Sequence, residues 1–154
     1  MRLYLLRHGH ALTAQESGAV SDAERPISET GRAEIKASLS ELLRRGGRPE
    51  LILHSPLRRA RQTAEIADKI LPMPHELRLY EPLGNVLAAE ELEPLLKKAG
   101  MEREQILAIG HQPQLGDLAA LFSGREFDIR TGGLVALETN EAGAAKMLWS
   151  YNPG

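Results

Sequence analysis

Three short segments of the chain carry histidine, arginine or both: residues 7–10 (Arg-His-Gly-His), 55–59 (Ser-Pro-Leu-Arg-Arg) and 110–113 (Gly-His-Gln-Pro). Arginine offers a planar fork of hydrogen-bond donors that matches phosphate oxygens. A histidine whose attacking nitrogen is unprotonated can act as a nucleophile, and nearby positive charge lowers the pKa of the imidazole and so favours that form. The three segments therefore predict phosphoryl-transfer chemistry, provided that the fold brings them together.

Each of these segments follows a predicted buried strand. The apolar runs at residues 3–6, 51–53 and 106–109 show no polar alternation, which is typical of strands covered on both faces of a parallel sheet. Ligands of open α/β sheets bind outside the carboxyl ends of the parallel strands. We therefore expect the three polar segments to converge at one edge of the sheet.

Helical patterns alternate with these strands. They predict helices over residues 29–45, from Ser55-Pro56 to about residue 71, over 88–98 and around 115–122, and further strands at 76–81, 133–139 and 145–151. The serine in Ser55-Pro56 is expected to cap its helix. Residues 12–25 lack periodicity and are predicted to form a mobile loop beside the site. The fold class is α/β: one domain over residues 1–154, a three-layer α/β/α sandwich with a mostly parallel sheet.

The composition excludes several classes of protein. The 154 residues are 42% hydrophobic, which suits one domain with a sizeable core. With 19 basic and 21 acidic residues the formal net charge is −2, so no overall basic field predicts binding to nucleic acid or to a membrane. The absence of cysteine excludes disulfides and thiolate chemistry and favours a cytosolic location. No export signal or membrane span is expected.

Four motifs in order resemble those of the histidine phosphatase superfamily, which has the phosphoglycerate mutase-like fold. They are residues 7–11 (Arg-His-Gly-His-Ala), 27–32 (Ile-Ser-Glu-Thr-Gly-Arg), 55–64 and 110–116. Within that superfamily the chain is similar to the protein phosphohistidine phosphatases of the SixA type. The likeness covers nearly the whole chain.

This resemblance implies roles for individual residues. His8 is expected to be the nucleophile that becomes phosphorylated. Arg7, Arg59 and His111 are expected to hold the phosphoryl oxygens, with Gln112 beside them. Successive helix residues are turned by about 100°, so the arginines that flank Arg59 cannot all face the same anion.

The resemblance also implies that Glu81 is the general acid. In many relatives a glutamate after the third strand protonates the leaving oxygen, and Glu81 occupies the corresponding place. A phosphohistidine substrate would need less of this help, because imidazole is a better leaving group than an alkoxide.

The length of the chain bears on its substrate. Only short connections join the predicted elements, so we expect no lid insertion and an open pocket. Such a pocket fits a phosphorylated histidine on a protein surface, such as a histidine-phosphotransfer domain in signal transduction. A small phosphate ester is the alternative substrate. No cofactor and no metal are expected, and a monomer would suffice.

Other interpretations use the same residues. His8 and His10 have the spacing of a metal-binding pair, with His111 and Asp117 as further ligands of a metal-dependent hydrolase. However, barrels that use such a pair typically need about 250 residues, and the arginines would repel a cation. A catalytically silent phosphate-binding module would use the same groups, whereas a mutase would need a closed pocket.

Overall fold

The computed structural model describes residues 1–140 and 145–154, and its strands form one sheet in the order β3-β2-β4-β1-β5-β6. The strands are β1 Arg2–Arg7, β2 Leu51–His54, β3 Glu76–Leu79, β4 Gln105–Gly110, β5 Leu134–Thr139 and β6 Ala145–Tyr151. The first four strands run parallel to one another, and β5 and β6 add an antiparallel edge. The sheet is therefore mostly parallel, as the sequence predicts.

Helices cover both faces of this sheet. They are α1 Ala14–Ser17, α2 Glu29–Arg44, α3 Arg58–Ile70, α4 Ala89–Ala99 and α5 Gln114–Ser123, with 3₁₀ turns at Asp22–Glu24 and Glu81–Leu83. Side chains of α2 and α3 pack with Tyr4 and Leu6 in one core, and side chains of α4 and α5 pack with Leu3 and Leu5 in the other. Because successive strand residues face opposite sides, a strand between two cores is apolar throughout. The three-layer α/β/α class is confirmed.

Three local features differ from the prediction. Helix α3 begins at Arg58, after Leu57, so the expected serine cap is wrong: the Ser55 hydroxyl is instead in contact with His111. Strand β3 ends at Leu79, because the chain then enters a 3₁₀ turn that buries Leu83. Residues 12–25 are not a featureless loop, since they contain α1 and the turn at Asp22–Glu24.

Two glycines let the segment after β1 pack directly on the first turn of α2. A Cβ on Gly9 would lie 2.6 Å from the carbonyl oxygen of Gly31, and a Cβ on Gly31 would lie 2.2 Å from the carbonyl oxygen of His10. Neither distance leaves room for a side chain. This backbone contact fixes the path of the chain immediately after His8.

Candidate active site

The three polar segments meet at the carboxyl ends of the central strands. Arg7 of β1 lies opposite Gly110 of β4, and His54 of β2 lies opposite Ile109 of β4. A cavity of about 320 Å³ opens at this edge. Its lining comprises Arg7, His8, His10, Ala11, Thr13, Arg25, Arg59, Asn85, His111, Gln112 and Thr131. The predicted convergence is therefore found.

His8 is buried beneath this cavity and is held as one tautomer. Its Nδ1 lies 2.7 Å from the carbonyl oxygen of Gly9. Because a carbonyl oxygen only accepts, Nδ1 carries the proton and Nε2 keeps its lone pair. The pKa of His8 is lowered to about 3, chiefly by burial and also by the charges of His111, Arg59 and Arg7, while the Gly9 contact opposes the shift. His8 is therefore neutral at neutral pH, with a basic nitrogen free to attack.

His111 lies beside His8 with one ring nitrogen unused. The two ring centroids are 5.0 Å apart, and Nε2 of His111 lies 2.6 Å from the Ser55 hydroxyl oxygen. Burial, followed by the charge of Arg59, lowers the pKa of His111 to about 4. In the tautomer in which the Ser55 hydroxyl donates to Nε2, Nδ1 carries the proton, and this buried Nδ1 has no hydrogen-bond partner among the described residues. His111 can thus donate to an anion.

Arg7 is a partly buried cation with spare donors. One terminal N–H donates to the carbonyl oxygen of Ile129 at 3.0 Å, and the buried Nε has no hydrogen-bond partner among the described residues. Burial lowers the pKa of Arg7, although a guanidinium stays protonated in proteins. An unpaired buried N–H is costly, so this donor is best explained by a ligand that accepts from it.

Arg59 reaches the cavity from the first turn of α3. Its side chain is 11% exposed and donates through one terminal nitrogen to the carbonyl oxygen of Asp22 and through the other to the Asp22 carboxylate, at 2.8 Å and 3.0 Å. The flanking Arg58 donates to the carbonyl oxygen of Glu24, and Arg61 pairs with a residue of its own helix. Among the helix arginines of the second segment, only Arg59 lines the cavity.

The remaining two predicted residues are placed differently. Gln112 lines the cavity, but its Oε1 accepts from the backbone N–H of Gly116 at 2.6 Å, so that part of the amide caps α5. Glu81 is exposed at the start of its 3₁₀ turn and is not part of the lining. The turn buries Leu83 in the core and leaves Asn85 at the cavity. The structure therefore does not bring Glu81 to His8.

Thr13, Arg25, Asn85 and Thr131 line the cavity but were not predicted as site residues, and two of these four make informative contacts. Arg25 comes from the segment expected to be an irregular loop, where no periodic pattern marked it. Asn85 adopts a left-handed φ of 68°, accepts from the backbone N–H of Gln114 and donates to the carbonyl oxygen of Gln112. The Gly84-Asn85 pair is a turn signal that could have indicated this bend, since asparagine tolerates positive φ.

The metal-site interpretation finds no ligand set in the part of the chain that the structure describes. No group of three or more histidine, cysteine, aspartate or glutamate side chains converges there. His10 Nδ1 lies 2.7 Å from the Ser28 hydroxyl oxygen, and Asp117 is exposed on α5. The polar groups around His8 are instead donors, which suit an anion.

Comparison with known proteins identifies the class that this fold and cavity define. The family model of the histidine phosphatase superfamily (branch 1) matches residues 3–86, which is more than half of the chain. An uncharacterized protein of Picosynechococcus sp. is 32% identical over 148 residues, covering 92% of this chain and 87% of the relative. The chain belongs to the histidine phosphatase superfamily.

Solved structures give a closer likeness within that superfamily. The protein histidine phosphatase SixA, solved in complex with tungstate, has a TM-score of 0.87 and 26% identity, with 99% of this chain and 97% of that chain covered. A SixA structure from Agrobacterium tumefaciens has a TM-score of 0.81 and 24% identity, with 99% and 98% covered, and this likeness concerns the fold alone. The phosphoglycerate mutase-like fold is confirmed.

In the described residues, no helix combines the length and the apolar character needed to cross a membrane.

Proposed function

We propose that this protein is a phosphohistidine phosphatase that removes the phosphoryl group from a histidine of another protein through a phospho-His8 intermediate. The observation that carries this proposal is the contact between His8 Nδ1 and the carbonyl oxygen of Gly9, because it leaves Nε2 unprotonated at a cavity lined by cations. The likeness to a SixA protein that binds tungstate, an oxyanion of phosphate-like shape, supports the same assignment.

The reaction has two balanced steps. In the first, the Nε2 lone pair of His8 bonds to phosphorus while the bond from phosphorus to the substrate imidazole breaks, and the released imidazole takes a proton from solvent. In the second, water attacks the phosphorus of phospho-His8, the electron pair of the broken bond returns to Nε2, and inorganic phosphate leaves. Arg7, Arg59 and His111 stabilise the charge on the phosphoryl oxygens in both transition states.

The character of the lining favours phosphohistidine over an alkyl phosphate. Among residues 1–140 and 145–154, the side chains that line the cavity include no carboxylate. An alkoxide leaving group needs a proton donor, whereas imidazole departs with little help. A general-acid role for Glu81 stays a prediction, and the Glu81→Gln variant tests it with a phosphate ester as the substrate.

The connections around the cavity are short, so a histidine on a protein surface could reach it. The described elements next to the cavity place no long helix over it, since the longest helix in residues 8–28 is the four-residue α1. A histidine-phosphotransfer domain is therefore the proposed partner. The cytosolic location and the monomeric state stay predictions from the sequence.

The test is to trap the intermediate. Wild type and His8→Ala are incubated with a histidine-phosphotransfer domain labelled on its histidine, and the acid-labile adduct on each protein is isolated. We expect His8→Ala to lose the adduct and at least a thousandfold of turnover, roughly the scale for loss of a nucleophile. His75→Ala is the matched control, since His75 lies outside the cavity lining and contacts Asp68, and it should keep the adduct.

Two outcomes would contradict this function. Labelling of the His8→Ala protein would show that another residue accepts the phosphoryl group. Faster turnover of small phosphate esters than of the phosphorylated domain would favour a small-molecule phosphomonoesterase.

A further inference from the structure

Arg25 brings a guanidinium to the cavity from outside the three polar segments. It lines the cavity together with Arg7 and Arg59. Its Nε donates to the carbonyl oxygen of Leu12 at 2.9 Å, and one terminal nitrogen donates to a carboxylate oxygen of Asp22 at 2.9 Å. The side chain is 28% exposed. Arg25 is therefore held in place while it retains N–H groups that no atom of the described residues accepts from.

Asp22 connects this arginine to Arg59. One carboxylate oxygen accepts from Arg25, and the other accepts from Arg59 at 3.0 Å. The backbone carbonyl oxygen of Asp22 accepts from the second terminal nitrogen of Arg59 at 2.8 Å. Arg25 and then Arg59 hold the pKa of Asp22 below its usual range, so the carboxylate is charged at neutral pH.

These contacts define the orientation of the Arg59 guanidinium. The group is planar, so two hydrogen bonds to Asp22 fix the direction of all five N–H donors. Only two donors are used, which leaves the others for an anion in the cavity. A small error in the position of such donors lowers the reaction rate strongly, because their stabilising effect depends on alignment with the charge that develops in the transition state.

We propose, on the basis of the phosphatase function proposed above, that Asp22 is a positioning residue for Arg59 and that Arg25 is a further cation that binds the anionic substrate. The hydrogen bonds of Asp22 to Arg25 and Arg59 make the segment before α2 part of the active site. Asp22 acts through the two arginines, whereas Arg25 touches the bound anion.

The two residues should affect oxyanion affinity in opposite directions. Neutralising Asp22 removes a negative charge beside the cavity, so binding of inorganic phosphate should be unchanged or tighter. Neutralising Arg25 removes a positive charge that contacts the anion, so binding should weaken. A residue that matters only for folding would lower affinity and turnover together in both variants.

The first experiment uses Asp22→Asn, with kcat and the inhibition constant for inorganic phosphate as readouts. We expect kcat to fall by about tenfold to a hundredfold, a range typical of a misplaced catalytic group, while phosphate binds as well as before or better. The matched control is Asp68→Asn. Asp68 is exposed on α3, contacts His75 and lies outside the cavity lining, so we expect this variant to keep kcat within about twofold. Unchanged kcat in Asp22→Asn, or a parallel loss of kcat and phosphate affinity, would overturn the role of Asp22.

The second experiment uses Arg25→Gln and measures phosphate binding directly by calorimetry. We expect affinity to fall by about tenfold, within the range for a charge-assisted contact, with the melting temperature close to that of wild type. Arg61→Gln is the control, because the Arg61 side chain pairs with Glu65 on the exposed face of α3. Equal phosphate affinity in Arg25→Gln and wild type would overturn the role of Arg25.

Failure of this inference can be told apart from failure of the proposed function. Wild-type protein that turns over neither a phosphorylated domain nor a phosphate ester would refute the phosphatase function. The calorimetric comparison of Arg25→Gln with wild type requires no turnover and still decides whether Arg25 binds the anion. An active wild type with Asp22→Asn equally active refutes the positioning role alone.

Discussion

Arginines occur in two contrasting settings in this molecule. At the end of α2, Arg44 is 67% exposed and makes two hydrogen bonds to the carboxylate of Glu41, while Arg45 contacts the same carboxylate and lies 4.7 Å from the centre of the Trp149 ring. In the cavity, Arg7 donates to a neutral carbonyl oxygen and keeps a buried N–H that has no acceptor in residues 1–140 and 145–154. The surface cations are already matched by a carboxylate, whereas Arg7 has capacity left for an anion.

This contrast shows why exposure alone does not identify a functional arginine. An exposed ion pair contributes little to stability, because water and salt screen it. A guanidinium whose Nε is buried without an acceptor has lost hydration without full compensation. A phosphoryl dianion would restore that compensation, which supports the proposed role of Arg7 in binding.

The largest expected effect on kcat/KM comes from removing the arginine side chain in the cavity. Arg7→Ala should lower kcat/KM by about a hundredfold to a thousandfold, the usual loss when one preorganised donor to a transition state is removed. Arg44→Ala removes the same side chain from the surface setting and should leave kcat/KM within about twofold. Steady-state kinetics on both variants makes the comparison. Similar losses in the two variants would mean that the cavity setting is not special.

An intermediate effect concerns the imidazoles of the cavity. The pKa of His8 is lowered to about 3 and that of His111 to about 4 in the folded protein, both below the ordinary value of 6.5. Between these values the unfolded chain binds more protons than the folded protein, so stability is fully present above about pH 6.5 and is lost as pH falls toward 3. Urea unfolding from pH 7 to pH 4 should therefore show a steeper decline for wild type than for His8→Gln.

The difference in that decline should be about 2 to 3 kcal/mol. An isolated imidazole would lose about 1.4 kcal/mol of stability for each unit by which its pKa is lowered. The expected difference is smaller than that product, because neighbouring imidazoles titrate together. Parallel stability curves for wild type and His8→Gln would show that His8 is not desolvated as described.

The smallest expected effect concerns the stability contributed by the surface ion pairs of Arg44 and Arg45. Glu41→Ala removes the carboxylate shared by Arg44 and Arg45 and should shift the melting temperature by at most about 2 °C. Phosphatase activity should be unchanged, since no residue of α2 lines the cavity. Calorimetry with and without added salt checks the result, because a screened pair should matter less at high salt. A large salt-independent loss would contradict the assignment of this cluster to the solvated surface.

Most of the sheet and its helices, and part of the candidate site, could be predicted from the sequence. Uninterrupted apolar runs identified β1, β2 and β4, and the rule for open α/β sheets then placed Arg7, His8 and His111 together. These two rules succeed because the burial of a strand and the position of its end are both visible in a short stretch of sequence. The position of Arg59 on the correct side of α3 followed from its motif.

Other features depend on contacts that no local pattern reveals. Arg25 and Asp22 approach Arg59 because residues 12–25 fold into two short helical turns, a path set by tertiary contacts rather than by periodicity. Glu81 falls outside the cavity lining because Leu83 enters the core two residues later and fixes the turn. The Ser55 hydroxyl contacts a histidine that is distant in sequence, although its sequence setting resembles that of a helix cap.

The backbone contact between Gly9 and Gly31 has a consequence for how the protein tolerates mutation. A methyl group at Gly31 would force apart the start of α2 and the peptide that follows His8. The imidazole of His8 would then move, even though position 31 lies outside the cavity lining. A saturation scan along α2 should accordingly find its deepest loss of activity at this glycine, among neighbours whose outward side chains can be exchanged freely.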